Sequence, residues 1–177
     1  MQQVIIPNTY LSVIDTPLIF LAGPIRGAPN WQDKAIELLF AQQPDLTVAF
    51  PRRGIRESIA PYIAKGDDHF FTRQRAWERL YLDLAAKTGA ILFWLPRELE
   101  HKCEKVYGAM TRVELGQWMT RYSYNSNVRF CVGSDGQFPE LRTIEYDLQE
   151  DAPGKKIGKT LEETCEEALR LASKRSV

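Results

Sequence analysis

The chain has 177 residues, of which 44% are hydrophobic and 26% are charged, and its 23 basic residues balance its 23 acidic residues. This composition excludes a disordered chain, and the longest apolar run, residues 89–95, is far shorter than the ~20 residues that a membrane helix needs. Because a neutral chain has no global field to attract a polyanion, a dedicated nucleic-acid-binding protein is also disfavoured. The length predicts a single domain over residues 1–177.

The chain has few residues for metal or redox chemistry. Its three cysteines and two histidines are scattered, with no CxxC pair and no cluster at metal-ligand spacing. They are Cys103, Cys131, Cys165, His69 and His101. Dispersed cysteines in odd number predict reduced thiols in the cytoplasm, and the first ten residues show no secretory signal. We therefore expect surface histidines, no metal, no cofactor, and chemistry that relies on carboxylates, tyrosines or backbone groups.

Short apolar runs alternate with longer amphipathic stretches along the chain. Leu18–Ala22 predicts a buried strand that ends at a Gly-Pro turn. Residues 31–43 have apolar side chains at helical spacing and predict a helix with Asn30 as its N-cap. Residues 46–50 predict the second strand, which a proline ends.

The same alternation continues to the end of the chain. The later predicted elements are a helix over 70–87, a strand over Ala90–Leu95, a helix over 111–121, a strand over 127–132, a short strand over 143–146 and a helix over 160–173. Ala90–Leu95 is the most hydrophobic of the strands, which predicts a central position in the sheet. Thr160 and Glu163 have the spacing of a capping box at the start of the last helix.

Strands that are apolar throughout and alternate with helices predict a doubly wound α/β fold, here a five-stranded parallel sheet with helices on both faces. The expected strand order is 2-1-3-4-5. In that order the ligand crevice lies at the carboxyl ends of the first and third strands. We therefore expect a site lined by the residues just after Ala22, the residues just after Leu95 and the start of the next helix.

The loop after the first strand is a candidate for ligand binding. Residues 23–30 contain two glycines, two prolines and Arg26, so backbone N–H groups and a helix N-terminus could face an anion. The loop is neither GxGxxG nor a Walker loop, which removes support for dinucleotide binding and P-loop phosphoryl transfer. Arg26, or the pair Arg52 and Arg53 after the second strand, could hold a phosphate, with solvated loops as the alternative.

Three acidic residues and one tryptophan are candidates for chemistry. Glu114 lies in an apolar stretch with Gly116 two residues later, and it could be a nucleophile or base, or a surface glutamate. Glu78 and Asp83 are five residues apart on the preceding helix, so at most one should point into the site. Trp94, at the end of the third strand, could stack on a planar base or close the core.

Five segments, taken in their order and spacing, resemble the nucleoside 2-deoxyribosyltransferase superfamily, which includes the 2'-deoxynucleoside 5'-phosphate N-hydrolases. The segments are FLAGPIRGAPNW, AFPRR, QRAWE, AILFWLPREL and TRVELGQW, within residues 18–135. The resemblance implies a flavodoxin-like fold, small nucleoside or nucleotide substrates, no cofactor, and a homo-oligomer whose subunits complete each other's sites. Trp118, Met119 and Tyr122, near a helix end, are candidates for the contact between subunits.

The resemblance also implies roles for individual residues. The nucleophilic glutamate of the family falls on Glu114, and its helix acid falls near Glu78 and Asp83. The family's loop around the sugar and its 5' substituent falls on Gly23, Pro24, Ile25, Arg26 and Gly27. The family's second acid, a few residues before the nucleophile, has no counterpart in residues 107–112, which weakens the case for classical base exchange and leaves a hydrolase or a diverged activity open.

The implied activity is cleavage or transfer at the N-glycosidic bond of a 2'-deoxynucleoside or its 5'-monophosphate. A carboxylate stabilises the oxocarbenium-like transition state or captures C1', and a second acid protonates the leaving base. The alternative is a non-catalytic nucleotide-binding or sensing module on the same fold.

Overall fold

Six strands form one parallel sheet in the computed structural model, which describes residues 2–51, 69–101 and 104–173. The strands are β1 (Gln3–Ile5), β2 (Leu18–Ala22), β3 (Thr47–Ala49), β4 (Ala90–Leu95), β5 (Phe130–Ser134) and β6 (Ile157–Gly158). The helices are α1 (Trp31–Gln42), α2 (Phe70–Thr88), α3 (Ala109–Tyr124), α4 (Leu141–Asp151) and α5 (Leu161–Ala172). The fold is α/β with helices flanking the sheet, consistent with a flavodoxin-like fold.

The strand order is β1-β3-β2-β4-β5-β6, and all neighbouring pairs are parallel. The predicted order is therefore confirmed for the first four predicted strands, and Ala90–Leu95 lies in the interior of the sheet as expected. Its six residues are all buried, because helices cover both faces of the sheet at this strand.

One predicted strand is wrong, and the sheet has six strands where five were predicted. Residues 143–146 belong to α4, where Ile144 and Leu148 are buried one helical turn apart. The fifth predicted strand is instead β6, which has only two residues and pairs with β5. β1 adds a sixth strand by pairing with β3 at the other edge of the sheet.

The sheet separates two hydrophobic cores, because successive residues of a strand point to opposite faces. Phe20, Ile91 and Phe93 pack with α2, α3 and α4. Leu21 and Leu92 pack on the opposite face with α1 and α5. Glutamates on α2 and α3 therefore lie on one side of the sheet, and the helix that follows the first loop lies on the other.

Of the two helix N-caps predicted from the sequence, one forms the predicted hydrogen bond and the other does not. At α5 the Thr160 side chain accepts a hydrogen bond from the Glu163 backbone N–H at 3.1 Å, as the capping box predicts. At α1 the Asn30 side chain makes no cap bond, and its Nδ2 instead donates to the Asp33 carboxylate at 2.7 Å.

Within the described ranges, each helix is too short or too polar to cross a lipid bilayer.

Candidate active site

One arginine joins a buried glutamate on α2 to a partly buried glutamate on α3. Nη1 of Arg75 donates to Oε1 of Glu114 at 2.7 Å and also to Oε2 of Glu78. Glu78 is only 8% exposed, and its Oε1 accepts a second hydrogen bond from Nε2 of Gln74 at 2.7 Å. The helices thus bring together two carboxylates that are 36 positions apart in the sequence and place one cation between them.

Local helix geometry explains half of this cluster. Gln74, Arg75 and Glu78 lie within one turn of α2, at the three- and four-residue separations that place side chains side by side. Glu114 comes from the second turn of α3, the helix that follows the carboxyl end of β4. The site therefore lies near the edge of the sheet where parallel α/β folds bind their ligands.

The surroundings of Glu114 shift the pKa of its carboxyl. Desolvation raises the pKa of the Glu114 carboxyl, because the low-polarity surroundings disfavour its ionised form. The hydrogen bond and positive charge of Arg75 act in the opposite direction, and the negative charge of Glu78 adds to the rise. A carboxyl with a raised pKa beside a cation is the kind of group that functional sites use for nucleophilic or acid–base chemistry.

A groove of about 560 Å³ runs between the two helices from this cluster. Arg75 and Glu114 line one part of it, and Asp83 and Arg121 line another. Asp83 forms a separate ion pair with Arg121, in which Oδ1 of Asp83 accepts a hydrogen bond from Nη1 of Arg121 at 2.5 Å. Both side chains are about half exposed. Of the two candidate acids, Glu78 therefore lies beside Glu114 and Asp83 does not.

The two loops that topology predicts to line the crevice contact each other. The carbonyl oxygen of Gly27 accepts hydrogen bonds from the backbone N–H groups of Leu99 and Glu100, at 2.7 and 3.1 Å. Gly27 has a φ of +76°, and a Cβ there would lie 2.7 Å from the Glu100 carbonyl oxygen, so only glycine fits without strain. Next to it, Nε1 of Trp31 donates to the carbonyl of Pro24 at 3.0 Å and anchors the loop on α1.

The other loop residues differ in exposure. Pro24 is buried, Gly23, Ile25 and Gly27 are partly buried, and Arg26 is exposed. A Cβ at Gly23 would lie 2.4 Å from the Trp94 carbonyl oxygen, so this glycine allows β2 and β4 to end close together. Arg26 is therefore the loop side chain that can reach an anion in solvent.

Trp94 packs in the core. Its indole is 6% exposed and belongs to the cluster under α1 and α5, because the strand pleat points it onto that face of the sheet. Of the two roles considered for this residue, core packing is the one that its position matches. Arg52 and Arg53, the other candidate phosphate ligands, lie outside the described residues.

The side chains suggested for the contact between subunits are largely covered within one chain. Trp118 and Met119 are buried in the core, and Tyr122 is partly buried against it, so these side chains present little surface to a partner. The exposed large hydrophobic side chains of α3 are Met110, Val113 and Tyr124, of which the first two lie within about one turn before Glu114. Helix periodicity alone did not distinguish the inner face of α3 from its outer face.

The residue that connects the site, Arg75, was not among the residues predicted from the sequence. Arg75 stands in the QRAWE segment, but nothing in a single sequence indicates that it reaches a glutamate on another helix. The Gln74, Arg75 and Glu78 spacing was the available signal for the local half of the cluster. In the part of the chain that the structure describes, no three His, Cys, Asp or Glu side chains gather as ligands for a metal ion.

No protein-family model matches the chain, and no curated protein matches its sequence.

Proposed function

We propose that the protein cleaves or transfers the N-glycosidic bond of 2'-deoxynucleosides or their 5'-monophosphates, with Glu114 as the nucleophile. The observation that carries this proposal is the Glu114 carboxylate, which is partly buried between two helices, accepts a hydrogen bond from Arg75 through one oxygen and lines an open groove. The resemblance of five sequence segments to nucleoside 2-deoxyribosyltransferases supports the same residue.

The proposed reaction needs only carboxylate chemistry. A carboxylate oxygen of Glu114 attacks C1' of the sugar, and the base leaves with the electron pair of the N-glycosidic bond and takes up a proton from solvent. Water then attacks C1', loses a proton to solvent and releases the Glu114 carboxylate, which completes hydrolysis. Attack on C1' by a nitrogen of a second base, which loses its own proton to solvent, completes transfer. Glu78 is the neighbouring carboxylate in this proposal, since Asp83 pairs with Arg121 instead.

The loop over residues 23–27 supports the sugar end of the substrate. Its glycines let backbone approach a ligand closely, and the exposed Arg26 supplies a positive charge for a 5'-phosphate. The substrate is a small molecule, and no nucleic acid or membrane partner is proposed. Cys131 and Cys165 are free thiols, which agrees with a cytoplasmic location.

A homo-oligomer, dimer or higher, is the proposed assembly. The exposed Met110 and Val113 lie on α3 beside Glu114, where a second copy would bury them and narrow the groove. Sizing chromatography with light scattering at micromolar concentration tests this, and a monomeric mass under those conditions contradicts it.

The catalytic proposal is tested with Glu114→Gln and Glu114→Ala against the wild-type protein. Each is incubated with deoxynucleosides and deoxynucleoside monophosphates, with and without a second free base, and the products are separated by chromatography. We expect base release or exchange by the wild type and a loss of at least about 10³-fold in both variants, as for other nucleophile replacements. Glu150→Gln, an exposed glutamate on α4, is the matched control and should keep the wild-type rate.

Wild-type rates in Glu114→Gln would refute the role of the glutamate. Tight binding of a nucleotide by calorimetry without any turnover would instead favour the non-catalytic binding module. An absence of both binding and turnover across the panel would reject both functions and leave a structural role.

A further inference from the structure

The two carboxylates of the candidate site are not equivalent. Both oxygens of Glu78 accept hydrogen bonds, Oε1 from Gln74 and Oε2 from Arg75. Glu114 accepts only at Oε1, and no described residue donates to its Oε2. A carboxylate whose two oxygens both accept has its lone pairs engaged within the protein, whereas an oxygen without a donor keeps its lone pairs for another partner.

One guanidinium nitrogen produces this difference. Nη1 of Arg75 carries two hydrogens, and it uses one for Glu78 on its own helix and one for Glu114 on α3. The bond to Glu78, three residues along the same helix, fixes the guanidinium. The bond to Glu114 then fixes the rotation of that carboxyl, because one of its two oxygens is tied to a group that cannot move.

We propose that Arg75 is a positioning residue that presents Oε2 of Glu114 to the substrate, and that Glu78 braces Arg75 instead of donating a proton. The catalytic part of this proposal, that Oε2 of Glu114 meets the substrate, rests on the proposed function. The positioning of Glu114 by Arg75 and of Arg75 by Glu78 is a property of the folded protein. It follows that Glu78 does not supply the proton taken up by the leaving base.

The electrostatics of the cluster agree with this assignment. Burial raises the pKa of Glu114 and Arg75 opposes that rise, so removing Arg75 would leave a buried carboxyl beside the negative charge of Glu78. The other charged side chains that line the groove from α2 and α3 are Arg79, Asp83 and Arg121. Asp83 and Arg121 offset each other as an ion pair.

The test is a titration of the Glu114 carboxyl, followed by NMR of protein labelled with ¹³C at the glutamate side-chain carboxyl carbon. Comparison with Glu114→Gln assigns the signal. In Arg75→Met the pKa of Glu114 should rise by one unit or more, since an adjacent opposite charge typically lowers a carboxyl pKa by roughly 1–3 units. In Glu78→Gln it should fall, because the neighbouring negative charge is gone.

Arg79→Met is the matched control. It removes the same charge one turn along α2, from an exposed side chain that bonds to neither carboxylate, and it should titrate like the wild type. Arg75→Lys should recover part of the shift, because an ammonium keeps the charge but lacks the fixed geometry of the guanidinium. This variant also keeps the inference testable if the methionine variant does not fold.

Activity supplies the second readout. For base release we expect a kcat reduced by at least about tenfold in Arg75→Met with little change in KM, and an acidic limb of the rate profile displaced to higher pH. A pKa of Glu114 that is the same in Arg75→Met and in the wild type would overturn the positioning role, whatever the activity. If the wild type releases no base, the proposed function fails by itself, and the carboxyl titration still decides whether Arg75 controls Glu114.

Discussion

Replacing Gly133 with alanine should disrupt the packing of α5 on the sheet. Gly133 on β5 pairs with Gly158 on β6, and the hydroxyl of Thr164 on α5 lies over both. A Cβ at Gly133 would lie 1.9 Å from Oγ1 of Thr164 and 2.9 Å from Cε3 of Trp94, which is closer than real atoms approach. Thr164 is 1% exposed, and its hydroxyl donates to the Thr160 carbonyl at 2.7 Å, so the side chain cannot rotate away without losing that bond.

The magnitude follows from two contributions. Overpacking a core typically costs about 1–3 kcal/mol, and the lost hydroxyl bond costs about 1 kcal/mol. We therefore expect Gly133→Ala to lower the free energy of unfolding by about 3 kcal/mol, which for a chain of this size corresponds to about 6–12 °C in Tm. Thr164→Ala alone should cost about 1 kcal/mol, because the Thr160 carbonyl keeps its bond from the Thr164 backbone N–H.

A double-mutant cycle separates this clash from a general effect of alanine. Since Thr164→Ala removes the atom at 1.9 Å, the double variant should be about 2 kcal/mol more stable than additivity predicts. Urea unfolding followed by circular dichroism measures all four proteins. Gly116→Ala is the control, because its Cβ has nothing within 4 Å and helix propensity favours alanine there by roughly 0.8–1.0 kcal/mol. A Gly133→Ala variant within 0.5 kcal/mol of wild type, or strict additivity, would refute the reasoning.

Three further predictions concern charge and reactivity. Burial raises the pKa of the Glu114 carboxyl, so the contribution of Glu114 to the free energy of unfolding is present while the carboxyl is protonated and is lost as pH rises through the folded-state pKa. The stability of Glu114→Gln relative to the wild type should therefore increase between pH 4 and pH 8. A difference in urea unfolding that stays constant over this range would contradict the prediction. Burial also raises the pKa of Cys165 to about 12 and raises that of Cys131, so neither thiol should react with an aromatic disulfide reagent at pH 8 until urea unfolds the protein, as mapped by mass spectrometry. Arg26→Gln should raise KM by at least about tenfold for deoxynucleoside monophosphates and leave KM for deoxynucleosides unchanged, and an equal effect on both substrates would exclude a phosphate contact.

The sequence by itself determined the central layer of the fold. Leu18–Ala22 and Ala90–Leu95 are apolar at every position, and a strand of that kind must be covered on both faces, which requires a parallel sheet between helices. The doubly wound arrangement of such a sheet predicts the order of its inner strands, and it predicts the edge at which a ligand should lie. The capping box at Thr160 was equally readable, because its partners are three residues apart.

The edges of the sheet depended on tertiary structure. Residues 143–146 contain β-branched and aromatic side chains that favour a strand, but Ile144 and Leu148 instead face the core from α4. β6 has two residues and no local signal of its own, and it exists because Gly133 and Gly158 let two strands and Thr164 approach closely.

The candidate site divides in the same way. The sequence made Glu114 a candidate because it stands on a predicted helix near the expected crevice, and the resemblance to a known family placed its partner acid near Glu78 and Asp83. Only the packing of α2 against α3 decided that Glu78 lies beside Glu114, that Asp83 pairs with Arg121 and that Arg75 bonds to both glutamates. The periodicity of apolar residues indicates which face of one helix or strand is buried. A hydrogen bond between side chains on two helices depends instead on the rotation of each helix and on the distance at which the two helices pack. A single sequence specifies neither of these two quantities directly.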